Sequence, residues 1–207
     1  MSLARPMNPD PDHDLVLSCQ AAGADERGLG GPFGELYERF KDRVYNVCYR
    51  ITGNPTDALD ASQETFGTIF RKVESFRFQS RFSSWVYRIA VNASIDLKRR
   101  SRSRRIASLD AFGDSEHSSF EISDDSVPMP SAGASRRELE EEIQRAISRL
   151  SPKLRAVTVL RYTENLSYEQ ISETLAISLG TVKSRLARAH AALDRELAPV
   201  LDKHYLG

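Results

Sequence analysis

The sequence predicts an all-α protein of two small helical domains joined by a flexible acidic linker. Three observations predict it. Apolar residues recur at spacings of three and four in successive segments on both sides of the chain's midpoint. No alternating pattern long enough for a strand occurs. The segment from Ile106 to Ser135 is rich in Ser, Asp, Gly and Pro and has no apolar periodicity, and so long a structureless run is better placed between domains than inside one.

In chain order, Met1 to Asp14 is rich in Pro and Asp and reads as a disordered N-terminus. Leu15 to Ala22 can form a short helix, which Gly28-Leu29-Gly30-Gly31-Pro32 breaks. Phe33, Leu36, Tyr37, Phe40, Val44, Val47, Cys48 and Ile51 then mark a strong amphipathic helix that stops at Gly53-Asn54-Pro55. A second helix is expected from Thr56 or Asp57, with Thr56 as its cap. Its apolar face is Leu59, Phe66, Ile69, Phe70, Val73 and Phe76, and Asp57, Asp60, Gln63 and Glu64 lie on the other side. Gly67 inside it costs about 1 kcal/mol against Ala, so packing must hold the helix there. Arg77 to Ser84 lacks periodicity and reads as a loop. A third helix from about Trp85 to Arg100 runs directly into a basic cluster.

Beyond the linker, Leu139, Ile143, Ile147 and Leu150 mark another helix. Ser151-Pro152 opens the next one, through Tyr162. Tyr168, Ile171 and Leu175 then share one helical face. After a short break with Ser178 as N-cap, the final helix divides cleanly. Val182, Leu186, Ala189, Leu193 and Leu197 fall on one side; Thr181, Ser184, Arg185 and Arg188 fall on the other, with Lys183 near its edge. Two helices joined by a tight turn, the second with a basic and hydroxylated free face, suit the major groove. Arg and Lys reach guanine acceptors or phosphates there, and Ser and Thr reach either.

The formal net charge of zero is a cancellation. Lys98, Arg99, Arg100, Arg102, Arg104 and Arg105 form a run without an acid. Asp110, Asp114, Glu116, Glu121, Asp124 and Asp125 form a run without Lys or Arg. The basic run favours a polyanion. The two cysteines, Cys19 and Cys48, have no Cys-x-x-Cys or Cys/His company, which argues against a disulfide framework, a zinc site or any other metal centre. Cys48 reads as a small core hydrophobe, and a redox role for Cys19 is left open. The four histidines are scattered, no Ser/His/Asp set or phosphate-cradling loop is present, and the chain reads as a non-enzyme without cofactor. No apolar run approaches membrane-spanning length, so membrane insertion is excluded and a cytoplasmic setting is expected.

Three stretches carry a resemblance. They are Asp57 to Phe66 (Asp-Ala-Leu-Asp-Ala-Ser-Gln-Glu-Thr-Phe), Phe82 to Asp96 (Phe-Ser-Ser-Trp-Val-Tyr-Arg-Ile-Ala-Val-Asn-Ala-Ser-Ile-Asp) and Gly180 to Ala189 (Gly-Thr-Val-Lys-Ser-Arg-Leu-Ala-Arg-Ala). In this order and separation they resemble the core-binding, promoter-melting and recognition-helix segments of a bacterial RNA polymerase sigma factor, of the sigma-70 family and extracytoplasmic-function type. The match runs roughly from Leu15 to Leu197. It implies region 2 at 15–105, a linker at 106–135, region 4 with its helix-turn-helix at 136–200, and a tail at 201–207.

The resemblance also implies roles and partners. Asp57, Asp60, Gln63, Glu64 and Phe66 would bind the polymerase core, although Leu59 stands where the family often has an acid. For Asp57, helix capping is an equal reading. Gln79, Ser80, Arg81, Ser83, Ser84, Arg88, Asn92, Lys98, Arg99 and Arg100 would engage the melted minus-ten element, where strand opening needs capture of an unstacked base. Trp85 at its spacing reads as core rather than as a stacking platform, and Asn92 and Asp96 could pair across one turn. Thr181, Lys183, Ser184, Arg185 and Arg188 would read the minus-thirty-five element. The acidic linker fits a segment threading polymerase as well as it fits a plain spacer. The implied partners are core polymerase, promoter DNA as duplex and as melted single strand, and an anti-sigma factor. The alternative is a stand-alone helix-turn-helix regulator that binds duplex DNA without polymerase. The second basic segment argues against it.

Overall fold

The computed structural model describes residues 10–22, 30–111 and 132–205, with the side chains of 102–111, 132–136 and 200–205 outside the description. Among the described residues every regular element is helical. The helices are α1 (His13–Ala21), α2 (Pro32–Thr52), α3 (Pro55–Lys72), α4 (Phe82–Ala111), α5 (Ala132–Arg149), α6 (Pro152–Tyr162), α7 (Tyr168–Leu175) and α8 (Leu179–Tyr205). A single 3-10 turn, Val73–Ser75, follows α3.

The first half is organised around α2. Its buried stripe of Phe33, Leu36, Phe40, Val44, Val47, Cys48 and Ile51 follows the predicted spacing and packs against α3 and α4. Pro32 at its first turn fits a helix start, and Gly53 ends it in the left-handed conformation (φ 85°) that glycine adopts without strain. The cap of α3 differs from the expectation. Asn54, not Thr56, caps it, its Oδ1 accepting from the Asp57 amide at 2.8 Å, with Pro55 as the first helical residue. An Asn-Pro pair supplies both the acceptor and the preset φ of a helix start. The core face of α3 is Ala58, Ala61, Thr65, Phe66 and Ile69, whereas Leu59 and Phe70 are 53% and 37% exposed.

Helix α4 begins three residues before its expected start, so Ser83 and Ser84 are helical rather than in the loop. The reason is remote. Asp10 Oδ2 accepts the Phe82 amide at 2.6 Å, giving the first turn a cap from another part of the chain. Residues 10–14 are accordingly placed, not disordered. Asp12 is buried and pairs with Arg39 at 2.9 Å, and α1 starts at His13; residues 1–9 lie outside the described residues. Trp85 is half-buried against the edge of the core, its ring 5.2 Å from Phe76 and 5.4 Å from Phe82, and it also lines an open pocket. At the other end α4 continues through Ile106 to Ala111, and α5 begins at Ala132. Helix therefore takes up both ends of the segment read as linker. The rest of that segment, 112–131, lies outside the described residues.

The second half follows the same logic. Ser151 is the N-cap of α6 without a side-chain bond, and Pro152 opens the helix. A full capping box starts α7: Gln170's amide donates to Ser167 Oγ, and Ser167's amide donates to Gln170 Oε1. Ser178 Oγ accepts the Thr181 amide at 3.1 Å at the start of α8, whose buried side is Val182, Leu186 and Ala189.

The two halves pack on each other. Buried residues from α1–α4 and from α6–α8 form one contiguous apolar cluster, and α2 touches α5 and α6 while α4 touches α7. Arg155 of α6 is the main polar link. It is 5% exposed and donates to the carbonyls of Ile147, Ser148 and Leu150 at the end of α5 and of Ile51 at the end of α2. Helix C-terminal carbonyls carry partial negative charge, so two helix ends stabilise this cation. Both cysteines are buried and unpaired, and burial raises their thiol pKa values, which keeps them un-ionised and weakly nucleophilic.

Candidate functional site: two nucleic-acid faces and a protein-docking strip

The strip predicted for polymerase is a continuous exposed surface. Asp60, Gln63 and Glu64 are exposed on α3. Asp57 is half-buried, its Oδ2 accepting from the Asn54 amide nitrogen at 2.7 Å, so this residue also serves the helix start. Glu64 pairs with Arg71 at 3.2 Å. Phe66 is buried, edge-on to Tyr37 with centroids 4.7 Å apart. It lines an open groove between α2 and α3 with Phe33, Tyr37, Leu59 and Phe70. Acids and an amide thus border an apolar trough, the mixed character of a protein-docking surface.

The residues predicted for the minus-ten element are distributed over three environments. Gln79 and Ser80 line a pocket with Arg77, Trp85 and Arg88, and Arg81 and Ser83 are half-buried beside it. Ser84 is 1% exposed and faces the core. Asn92 and Arg100 are exposed along a second groove, between α4 and α3, whose opposite wall is Asp60, Gln63 and Glu64. Asp96 pairs with Arg99 at 3.2 Å rather than with Asn92. Two further cations have backbone partners. Arg88 Nε donates to the Thr174 carbonyl at 2.9 Å and its Nη2 to the Glu173 carbonyl at 3.2 Å, and Lys98 Nζ donates to the Thr52 carbonyl at 2.6 Å. Burial, with Arg155 nearby, lowers the Lys98 pKa.

The face predicted for the minus-thirty-five element is open. Lys183, Ser184 and Arg188 are exposed, and Thr181 and Arg185 are half-exposed, along one side of α8. The opposite side of α8 is buried against α6 and α7. The hydroxyl–hydroxyl contact of Ser178 with Thr181, 2.8 Å, fixes the first turn of this face. An outward, basic helix held rigidly by its partner helix is the geometry of a major-groove reader.

Comparison with known proteins gives this arrangement a family. The description Sigma-70 region 2 matches residues 36–105, and the description Sigma-70, region 4 matches residues 140–193. The chain is 35% identical over 173 residues to the ECF RNA polymerase sigma factor SigW of Bacillus subtilis, covering 83% of this chain and 92% of that protein. The chain belongs to the extracytoplasmic-function sigma factors of the sigma-70 family. It is 32% identical over 193 residues to the ECF RNA polymerase sigma-E factor of Escherichia coli, covering 91% and 96%. Among solved structures, CnrH in complex with the cytosolic domain of CnrY shares its fold at a TM-score of 0.64 and 22% identity, over 91% of this chain and 97% of that one. The sigma factor RpoE in complex with the anti-sigma factor NepR from Bartonella quintana does so at 0.59 and 20%, over 80% and 96%.

In this sigma factor, Leu59 and Phe70 line the open groove rather than the core. Both fell on the expected apolar face of α3, where periodicity cannot separate core from an exposed apolar groove. The departure at Leu59 from the family's usual acid was the available signal. Among the described residues no cluster of metal-ligating side chains occurs, and no helix is long and apolar enough to cross a membrane.

Proposed function

We propose that this sigma factor docks on core polymerase through the α3 strip and grips the promoter at two places, with α8 in the minus-thirty-five major groove and the 77–84 segment and α4 on the melted minus-ten strand. The observation that carries this reading is the coexistence, on one chain, of an acidic and amide strip bordering an apolar groove with an outward basic helix. Leu59 and Phe70 join Asp60, Gln63, Glu64 and Phe66 in the polymerase contact, because charge positions the encounter and buried apolar area holds it. Thr181, Lys183, Ser184, Arg185 and Arg188 supply donors to base edges and phosphates. The protein works by binding and positioning, without a catalytic centre of its own, in the cytoplasm where polymerase acts. An anti-sigma factor that covers these surfaces is the expected regulator, as both solved relatives named above were captured with partner proteins, one of them described as an anti-sigma factor.

In vitro transcription with purified core polymerase on a pool of promoters from the source genome tests this. Specific run-off transcripts that vanish with Arg185→Ala/Arg188→Ala support it. Retained duplex binding with no core binding and no transcripts would favour a stand-alone regulator instead.

A further inference from the structure

The loop that precedes α4 is held by residues far from it in sequence. Its conformation is not one that local preference supplies. Phe78 has φ 55°, in the left-handed region that a bulky side chain rarely adopts. A residue so placed persists only where its surroundings over-determine it. Here those surroundings come from α1 and the residues just before it. The His13 ring lies 4.6 Å from the Phe78 ring, and the Phe76 ring lies 5.0 Å from it. At the near end of the loop, Gln20 Nε2 donates to the carbonyls of Val73 at 2.9 Å and Phe76 at 2.8 Å. At the far end, Asp10 Oδ2 accepts the Phe82 amide at 2.6 Å. Gln79, Ser80 and Arg81 are thus strung between two anchor points, Phe78 and Phe82, both held from the same short segment. That segment is itself fixed. Asp12 is buried and pairs with Arg39 of α2 at 2.9 Å, and Val16 and Cys19 of α1 are fully buried. Asp10, His13 and Gln20 all precede 36–105, the stretch matched as Sigma-70 region 2.

We infer that Asp10, His13 and Gln20 are positioning residues for minus-ten recognition: they hold the loop from Phe78 to Phe82 in the conformation that presents Gln79, Ser80 and Arg81 to an unstacked base. The inference rests on the minus-ten reading of that loop. None of the three has to touch DNA. A pocket that captures a flipped base discriminates only while its donors and acceptors stay fixed, and the short Ser80 side chain has little reach with which to follow a displaced backbone. Without the anchors, Phe78 relaxes to a common backbone conformation and the loop samples several. Affinity for the preferred base then falls in proportion to the competent fraction. The minus-thirty-five face stands on α8 and does not depend on these contacts.

Run-off transcription with core polymerase and the full chain tests this. The templates are promoters that the unaltered factor transcribes from the source-genome pool, with each base of the minus-ten and minus-thirty-five elements changed singly. The readout is base preference, the ratio of transcript from the original template to that from the changed one. With Asp10→Ala/His13→Ala, preference falls about tenfold at one or more minus-ten positions and moves less than twofold across the minus-thirty-five element. His13→Phe, which keeps a ring against Phe78, retains the minus-ten preference within twofold. Unchanged minus-ten preference in the double variant overturns the inference. An equal loss at both elements also overturns it, because that marks a general loss of structure rather than a displaced loop. Gln79→Ala/Ser80→Ala separates the two levels of the argument. If it alters minus-ten preference where the double variant does not, the loop reads the base but is not positioned from α1. If it alters nothing, the minus-ten reading of the loop fails and the inference fails with it. Where circular dichroism shows that the double variant has lost helix, His13→Ala alone, at an exposed side chain, carries the same prediction at about threefold.

Discussion

Replacing Arg155 by Met tests what holds the two halves in register. The side chain keeps similar length and packing but removes every donor. Arg155 serves four carbonyls: Ile147 and Leu150, each at 3.0 Å, with Ser148 and Ile51 as close partners. The Ile147 carbonyl also accepts the Leu150 amide, so three acceptors depend on the guanidinium more heavily. A buried acceptor left unpaired costs about 1–3 kcal/mol. Burial also lowers the Arg155 pKa, so removing the cation returns part of that loss by ending its desolvation. The net expectation is a destabilisation of about 3 kcal/mol. With an m-value near 2 kcal/mol/M, the urea midpoint falls by ~1.5 M. Urea titration followed by far-UV circular dichroism measures this directly. Arg155→Lys should recover less than half, because one ammonium cannot reach carbonyls on two helix ends. A loss under about 1 kcal/mol for Met would show that water satisfies these carbonyls, and would refute the view that Arg155 organises the α2–α5 junction.

Other outcomes follow from the same geometry. Asn54→Ala should lower stability by ~1 kcal/mol through loss of the α3 cap, whereas Thr56→Ala should change it little; thermal melts of the pair decide which residue caps. Ala176 closes α7 with φ 51°, so Ala176→Gly should raise the melting temperature, by up to ~1 kcal/mol in stability. Gly67→Ala should stabilise α3 by a similar amount, since the added methyl meets only the movable end of Arg71 at 3.2 Å; a simultaneous loss of polymerase affinity would show that the glycine keeps the docking groove open. Burial raises the Glu164 pKa above 4.5, opposed by Tyr87 and Arg43. In the window just above 4.5 the folded state therefore holds the proton longer than the unfolded state. Glu164's contribution is full below that window and declines as pH rises through the folded pKa, so urea titrations across pH 4.5–7.5 should show this slope in the unaltered factor and its absence in Glu164→Gln.

Helix periodicity made the secondary structure legible where one face is buried, as in α2, whose expected stripe from Phe33 to Ile51 is its core face. The same pattern misplaced Leu59 and Phe70, because an exposed apolar groove and a core obey one spacing. The start of α4 was not legible, since its cap comes from Asp10 and nothing local to Phe82 encodes it. Local reading also preferred Thr56 over Asn54, although Asn-Pro is the stronger start signal. The exposed face of α8 follows directly from Thr181 to Arg188. The packing between halves does not: the partners of Arg88, Lys98 and Arg155 are backbone carbonyls, which every residue possesses and no sequence pattern marks.

The bond from Asp10 to the first amide of α4 also has a meaning in time. The acceptor is synthesised 72 residues before its donor. At ~5–20 residues per second, the ribosome takes about 4–14 s to deliver Phe82 after Asp10. During that interval α1 has no finished surface to dock on and Asp10 has no amide to accept. Helix α4 gains its first-turn cap only when the nascent chain folds back on its own beginning, so a tag or truncation reaching Asp10 would act on α4 itself.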